Sequence, residues 1–248
     1  MNRRINSGLK RRIATSLIKN FFRDISITFW LIGINVVTFI LIFILMQFSE
    51  QLFGVGPQVL LENFIALKPS NILEGKALWT FITSIFMHEG IGHLFINMFV
   101  LFSLGRVMEK IIGRKRFLWF YLGSGIFSGL AFVVLAGLFG GTELGASIFG
   151  SVSIPAVGAS GAIFAIAGLF VVILPKARFA IIFFPFFSLP GYIMVPAVLV
   201  LTWVASVVAG LPIGNSAHFG GFLIGLIYGA YLRNKFKRKI GRINRMIR

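Results

Sequence analysis

The chain has 248 residues, of which 57% are hydrophobic and 12% charged, and its 24 Lys and Arg against 7 Asp and Glu give a net charge of +17. A mean hydropathy of +0.92 is far above what a soluble domain can bury in one core, which indicates a membrane protein. The absence of Cys excludes disulfide frameworks, Cys-ligated zinc and thiol nucleophiles.

Six apolar stretches have the length expected of membrane-spanning helices, which need about 20 residues each. In chain order they lie at residues 27–48, 91–112, 117–142, 144–175, 192–209 and 216–232, and the fourth helix is expected to begin after Pro155. The pair Gly125-x-x-x-Gly129 in the third stretch would let another helix approach closely. We therefore predict an all-α polytopic membrane protein built as a bundle of six transmembrane helices.

Three connecting segments differ in composition from these stretches. Residues 49–88 mix acids with apolar residues and are expected to form an interfacial or partly embedded loop rather than a domain. The Phe- and Pro-rich residues 179–190 are predicted to be a poor helix that lies in the interface or leads into the fifth span. The Gly, Pro and Asn residues at 210–215 predict a turn between the fifth and sixth spans.

Basic residues predict the orientation of the chain. All Lys and Arg except Lys68 and Lys76 lie in four clusters, at residues 1–24, 106–116, 176–178 and 233–248. With six spans these clusters share one side, which is expected to be cytoplasmic. We therefore predict an integral, multi-pass protein of the cell membrane with both termini in the cytoplasm. The excess charge then predicts affinity for the anionic inner leaflet and not for nucleic acid.

The first polar motif is His93-x-x-x-Asn97, at the outer end of the second span. Two residues four apart share one face of a helix, so both side chains can donate hydrogen bonds to the same point. Such a pair can equally serve as a polar contact between helices. His88 and His93 are five residues apart, whereas the helical zinc motif requires four, so no metal site is expected.

The second motif is Gly158-Ala159-Ser160-Gly161, which opens the fourth span. Small residues at this spacing are typical of a packing surface. A Ser in the first turn of a helix also lies beside unsatisfied backbone N–H groups, where an oxyanion would be stabilised.

The third motif opens the sixth span. His218 is followed by Gly221, Gly225 and Gly229 on the same helix face, so a neighbouring helix can press against a groove without side chains. If that neighbour is the fourth span, Ser160 meets His218. A single His at a helix end is otherwise more often structural.

The three motifs, in this order and spacing, resemble the rhomboid family of intramembrane serine proteases over about residues 25–232. The resemblance implies that Ser160 is the nucleophile and His218 the general base. It also implies an oxyanion hole formed by His93, Asn97 and the Ser160 backbone N–H, lined by Gly158. The implied organisation is a basic segment at residues 1–24, a six-span catalytic core at 25–232 and a basic tail at 233–248.

Further positions match the family or depart from it. Trp79 resembles the Trp of a Trp-Arg pair in the first loop, but Thr80 stands in place of the Arg. Gly105 and Glu109 resemble the family's G-x-x-x-E at the inner end of the second span. Phe164 stands where the family often has a Tyr stacked on the catalytic His. With Gly221 and Gly225, it is expected to support the site.

The residues themselves limit the mechanism. No Asp or Glu follows Glu143, so His218 would act without a carboxylate partner, as half of a slow Ser-His dyad that needs no cofactor. The expected substrates are transmembrane proteins, whose helix must unwind near the outer face before Ser160 can attack. Residues 179–196 are the candidate lateral gate for such a helix, and residues 211–216 the candidate cap.

Two other functions remain open. A catalytically inactive rhomboid-like membrane chaperone or trafficking factor would share the fold, although such proteins usually lose the Ser or the His. A small transporter would be expected to carry an acid inside the membrane for ion coupling, and the middles of these spans contain none.

Overall fold

Helices form nearly all of the regular structure in a computed structural model, which describes residues 25–181, 184–211 and 213–246. In chain order they are α1 Ile27–Gln47, α2 Ser49–Phe53, α3 Pro57–Leu60, α4 Pro69–Leu73, α5 Thr80–Phe86, α6 Ile91–Ile112, α7 Arg114–Phe139, α8 Glu143–Phe149, α9 Ser160–Ile173, α10 Gly191–Ala209, α11 Asn215–Lys235 and α12 Lys237–Met246. Single π-helical turns follow α3, at Leu61–Ile65, and interrupt α6, at Leu101–Gly105. The basic segment predicted at residues 1–24 lies outside the described residues, as does the end of the basic tail.

The predicted all-α membrane class is confirmed. Within the described residues, four helices are long and apolar enough to cross a membrane: α1, α6, α7 and α10. Helix α9 has only 14 residues, or about 21 Å against a hydrocarbon core of about 30 Å. Helix α11 has 21 residues but begins with polar residues and contains four glycines. Length and composition therefore support four spans, and the expected number of six is not established by them.

The fourth predicted stretch is divided in the structure. Its Gly- and Ser-rich first half forms α8 and an irregular loop, and α9 begins only at Ser160, after Pro155 as expected. The described residues of the Phe- and Pro-rich segment are not helical, which confirms that prediction. It forms an antiparallel hairpin of β1 Arg178–Ile181 and β2 Phe184–Pro190. Gly210 ends α10 in the left-handed conformation, with φ +63°, as expected for a helix C-terminus.

Helix α9 lies at the centre of the bundle and packs most extensively against α11. Ten of its 14 residues are buried. Glycines explain the close approach: a Cβ added at Gly221 would strike the Gly161 carbonyl oxygen, and one at Gly225 the Ala165 carbonyl oxygen. The two backbones are therefore in direct contact along the predicted glycine groove.

One end of the bundle, here called the basic end, is held together by polar contacts between distant segments. The Glu109 carboxylate accepts hydrogen bonds from the backbone N–H groups of Ile27 and Thr28, at 2.8 and 2.9 Å. It thereby satisfies two of the N–H groups that every helix leaves free at its start. Helix α12 crosses this end: Lys239 Nζ donates to the Ile111 carbonyl, and Asn244 to the Ile173 carbonyl, both at 2.8 Å.

The predicted loop at residues 49–88 consists of short helices that pack on α7. Gly125 and Gly129 allow this loop to pack closely on α7. A Cβ at Gly129 would lie 2.8 Å from Leu67 Cδ2, and one at Gly125 would clash with Ile85. The Trp79 indole donates to the Phe64 carbonyl at 2.9 Å. The loop is thus a structured cover over α7 and the start of α6.

Thr80 occupies the position where the resembled family has Arg. Its side chain is buried, and its Oγ1 donates to the Ala77 carbonyl at 2.7 Å. Thr83 makes the corresponding bond to the Ile65 carbonyl, also at 2.7 Å. One local bond and one bond between residues 18 positions apart therefore organise this part of the loop.

Candidate active site

Ser160 is the first residue of α9 and lies at the end of the bundle opposite the basic end. Its backbone N–H therefore has no acceptor within the helix. The residue is partly exposed. A hydroxyl beside a free N–H at a helix start combines a nucleophile with an oxyanion donor.

His218 faces Ser160 from the first turn of α11. Its Nε2 lies 2.7 Å from Ser160 Oγ, a hydrogen bond between residues 58 positions apart. The groove formed by Gly221 and Gly225 brings the starts of α9 and α11 together and so determines this distance. At this distance the imidazole can accept the hydroxyl proton.

The His218 ring is oriented by packing. It stacks on the Phe164 ring with centroids 4.5 Å apart and planes inclined by 27°. Its buried Nδ1 makes no hydrogen bond with any described residue. In a catalytic triad a carboxylate occupies that position, so this pair lacks the third member.

Gly158 adopts a backbone conformation that other residues rarely tolerate, with φ +125°. A Cβ here would lie 2.9 Å from His93 Cε1 and 3.0 Å from His93 Nε2. Its own N–H donates to the Ser84 carbonyl at 2.8 Å. Gly158 therefore provides space beside His93 rather than a free donor.

His93 and Asn97 lie one turn apart on α6. Their spacing and the position of Gly158 bring the His93 ring next to the Ser160 segment. Asn97 is buried, and its amide donates to the His93 carbonyl at 3.0 Å. One amide hydrogen is thus used within the helix, and the other is available to a ligand.

His88, for which the sequence predicts no role, is a neighbour of the site. It precedes α6, so the helical spacing argument does not apply to it, and its ring packs edge-on against His93 with centroids 5.1 Å apart. Burial, together with His93, lowers the pKa of His88 to about 4. Among the described residues, no group of three His, Asp or Glu side chains could hold a metal ion.

Comparison with known proteins identifies one family. The family model described as Rhomboid domain matches residues 75–235, which include every candidate site residue. The chain is 29% identical to the human presenilin-associated rhomboid-like protein, mitochondrial, over 60% of this chain and 37% of that protein. It is 31% identical to Rhomboid protein 1, mitochondrial, of Saccharomyces cerevisiae, over 64% and 43% respectively.

A bacterial relative extends the match. The chain is 30% identical to Rhomboid protease GluP of Bacillus subtilis over 78% of this chain and 34% of that protein. The matched regions thus span less than half the length of each of these three relatives.

Proposed function

Because the chain belongs to the rhomboid family, we propose that it is an intramembrane serine endopeptidase that cleaves transmembrane proteins with Ser160 as nucleophile and His218 as general base. The observation that carries the proposal is the 2.7 Å separation of Ser160 Oγ and His218 Nε2. It joins two motifs 58 positions apart in the sequence. The catalytic core is proposed to comprise residues 25–232.

The proposed reaction proceeds in two steps. Ser160 Oγ attacks the scissile carbonyl carbon while its proton passes to His218 Nε2. The imidazolium then gives this proton to the amine as the C–N bond breaks, which leaves an acyl-enzyme. Water then gives a proton to the same nitrogen and attacks the ester carbonyl. The imidazolium returns this proton to Ser160 Oγ as the ester C–O bond breaks and the carboxyl product leaves. Ser160 is partly exposed as a residue, which supports access of that water.

The negative charge of the tetrahedral intermediate must be stabilised by hydrogen-bond donors. We propose the Ser160 backbone N–H, the His93 ring and the free amide hydrogen of Asn97, with Gly158 leaving room between them. Removing one oxyanion donor typically lowers kcat about 10²- to 10³-fold. Phe164 is proposed to orient the imidazole in place of a carboxylate, and turnover is expected to be slow.

The substrate is proposed to be a transmembrane helix that unwinds at the scissile bond. Every carbonyl of such a helix is hydrogen-bonded internally, so helix-weakening residues should mark the cleaved position. Helix α9 is shorter than the hydrocarbon core is thick, which supports a site below the membrane surface.

The proposed location is the cell membrane, with both termini in the cytoplasm and the site at the outer face. This orientation is supported by the basic side chains at one end of the bundle, which include Arg114, Lys239 and others of α12. The human and yeast relatives are named mitochondrial, so fractionation of the source cells tests the choice of membrane directly.

The lateral gate is proposed to be α10 with the segment before it. Residues 182 and 183 of the candidate gate and residue 212 of the candidate cap lie outside the described residues. At the site end, α10 is attached by the Trp203 indole, which donates to the Ile148 carbonyl at 2.9 Å, and by a bond from Asn215 to Ser206. A cross-link between α10 and α6 should suppress cleavage of a helical substrate, and unchanged cleavage would eliminate α10 as the gate.

The decisive experiment is labelling of the purified protein with a fluorophosphonate. Wild type should be labelled, whereas Ser160→Ala and His218→Ala should not; Ser147→Ala, which removes an exposed hydroxyl, serves as the matched control. Labelling that survives Ser160→Ala, or that EDTA abolishes, contradicts the mechanism. A folded wild-type protein that neither reacts nor cleaves would favour the inactive chaperone or trafficking factor.

A further inference from the structure

A groove at the basic end of the bundle is not used by the proposed protease mechanism. It lies between the start of α7 and the last turns of α11, has a volume of about 370 Å³, and is lined by Lys115, Arg116, Trp119, Phe120 and Tyr228. Tyr228 is ten residues after His218, or about 15 Å along the helix. The groove and the candidate active site are therefore separate.

We propose that this groove binds the phosphate and glycerol of an anionic phospholipid from the adjoining leaflet. The proposal does not depend on the protease activity. It rests on the aromatic wall, the two cations at the rim and an apolar path for the acyl chains along α7.

The wall of the groove is aromatic. The Phe120 and Tyr228 rings stack with centroids 4.8 Å apart and planes inclined by 16°. Trp119 is 64% exposed on the other side. Trp and Tyr favour the membrane–water interface, because one part of the ring system is apolar and another can bind polar headgroups. The wall therefore fits the glycerol region of a lipid.

The rim of the groove is positively charged. Lys115 and Arg116 are both exposed. The Arg116 guanidinium lies 5.2 Å from the centre of the Phe236 ring, and its Nη1 donates to the Ile112 carbonyl at 3.3 Å. These contacts hold the guanidinium in place while its other N–H groups remain available to a phosphate.

No acid competes for these cations within the part of the chain that the structure describes. The Glu109 carboxylate of the basic end is already bonded to α1 and lies 4.0 Å from Arg114. A neutral lipid would gain no net attraction from the rim, whereas an anionic lipid would. Charge complementarity therefore selects the anionic class.

An apolar path leads away from the groove. Trp119, Gly123, Ile126 and Leu130 follow one face of α7 at helical spacing. Ile126 and Leu130 are 39% and 46% exposed, and nothing lies within 4 Å of a Cβ added at Gly123. Acyl chains attached to a headgroup in the groove can lie along this face.

The test is native mass spectrometry of the full-length protein in detergent, titrated with phosphatidylglycerol and phosphatidylcholine of identical acyl chains. Wild type should bind phosphatidylglycerol preferentially. Lys115→Gln/Arg116→Gln should weaken that binding roughly ten- to thirtyfold and leave phosphatidylcholine unchanged. The matched control is Lys237→Gln/Arg238→Gln, which removes the same charge from α12 and should retain the preference.

Three results would overturn the proposal. Wild type could show no preference, the two double variants could weaken binding equally, or glycerol phosphate without acyl chains could displace the lipid at equal concentration. If the double variant fails to fold, Lys115→Gln alone serves, because the Lys115 side chain makes no hydrogen bond with the described residues, and roughly fivefold weaker binding is expected. Unchanged binding in that variant would also contradict the site.

Discussion

At the scale of single residues, the orientation of the base in the candidate dyad depends on packing, whereas in a triad it depends on a charged partner. Among the residues that the structure describes, no acid lies beside His218 to orient its ring, and Phe164 stacks on it instead. Gly158 leaves the space that the His93 ring occupies. Both effects are steric, so small changes of side-chain shape should alter the chemistry while leaving the fold intact.

Phe164→Leu removes the stacked ring. An aromatic pair contributes about 0.5–1.5 kcal/mol beyond its buried area, so kcat/KM for a transmembrane substrate should fall roughly two- to tenfold. The loss should appear in kcat rather than KM, because the ring orients the base and does not contact the substrate. Phe164→Tyr keeps the ring and should retain activity. An equal loss in both variants, or none in Phe164→Leu, would contradict the orienting role.

His88 makes the stability of the protein depend on pH. Its pKa is about 4 in the folded protein and 6.5 in the unfolded chain, because burial and then His93 oppose protonation. Between these values the unfolded chain binds a proton that the folded protein excludes, so stability falls as the pH is lowered. His88→Gln should reduce the fall in Tm between pH 7 and pH 4.5. Identical Tm profiles for the two proteins would disprove this contribution.

At the scale of elements, the backbone groups at several helix ends form hydrogen bonds with side chains that are far away in the sequence. The start of α1 is capped by Glu109 of α6, which is 82 positions away from Ile27. The last carbonyls of α6 and α9 are reached by Lys239 and Asn244 of α12. Carboxylates favour helix starts and cations favour helix ends, so Glu109 stabilises the start of α1 and Lys239 the end of α6, while Asn244 supplies a neutral donor to the end of α9.

Glu109→Gln tests the cap on α1. The carboxylate accepts three hydrogen bonds, two from backbone N–H groups and one from Thr28 Oγ1 at 2.7 Å. A hydrogen bond to a charged group contributes about 1.5–3 kcal/mol, so the variant should lower the Tm measurably. Glu50→Gln, at an exposed position, is the matched control and should leave the Tm unchanged. If the two variants have the same Tm, the cap adds nothing to stability.

The boundaries of the long helices could largely be predicted from sequence, because long apolar stretches mark them directly, whereas the short helices and the hairpin were not predicted. The predicted second span agrees with α6, and the fifth agrees with α10 to within one residue. The prediction of the fourth span was less accurate. The Gly- and Ser-rich residues before Ser160 are apolar enough for a membrane, but they do not continue the helix that begins at Ser160.

At the scale of the whole molecule, the distribution of charge is the main asymmetry. The described basic clusters lie at the end of the bundle formed by Ile25, Ile112, Ile173 and α12. Ser160 and His218 lie at the opposite end. The orientation of the bundle thus decides on which face of the membrane any cleavage takes place.

The orientation can be measured because the chain has no Cys. Ser147→Cys and Lys237→Cys each introduce one thiol at an exposed position, at the site end and in α12 respectively. In intact cells a membrane-impermeant maleimide should label Ser147→Cys only, and both variants should be labelled after permeabilisation. Labelling of Lys237→Cys alone in intact cells would reverse the proposed topology.

The sequence by itself determined the membrane class, the basic clusters, the approximate spans and the three motifs, because hydropathy and charge are local properties of the chain. The tertiary structure alone decided that α11 packs against α9, which brings His218 to Ser160. It also decided that His88 packs on His93 and that Glu109 caps α1. The first and third of these contacts join residues far apart in the sequence, so they depend on how the helices pack, and the glycine face of α11 determines how closely it approaches α9.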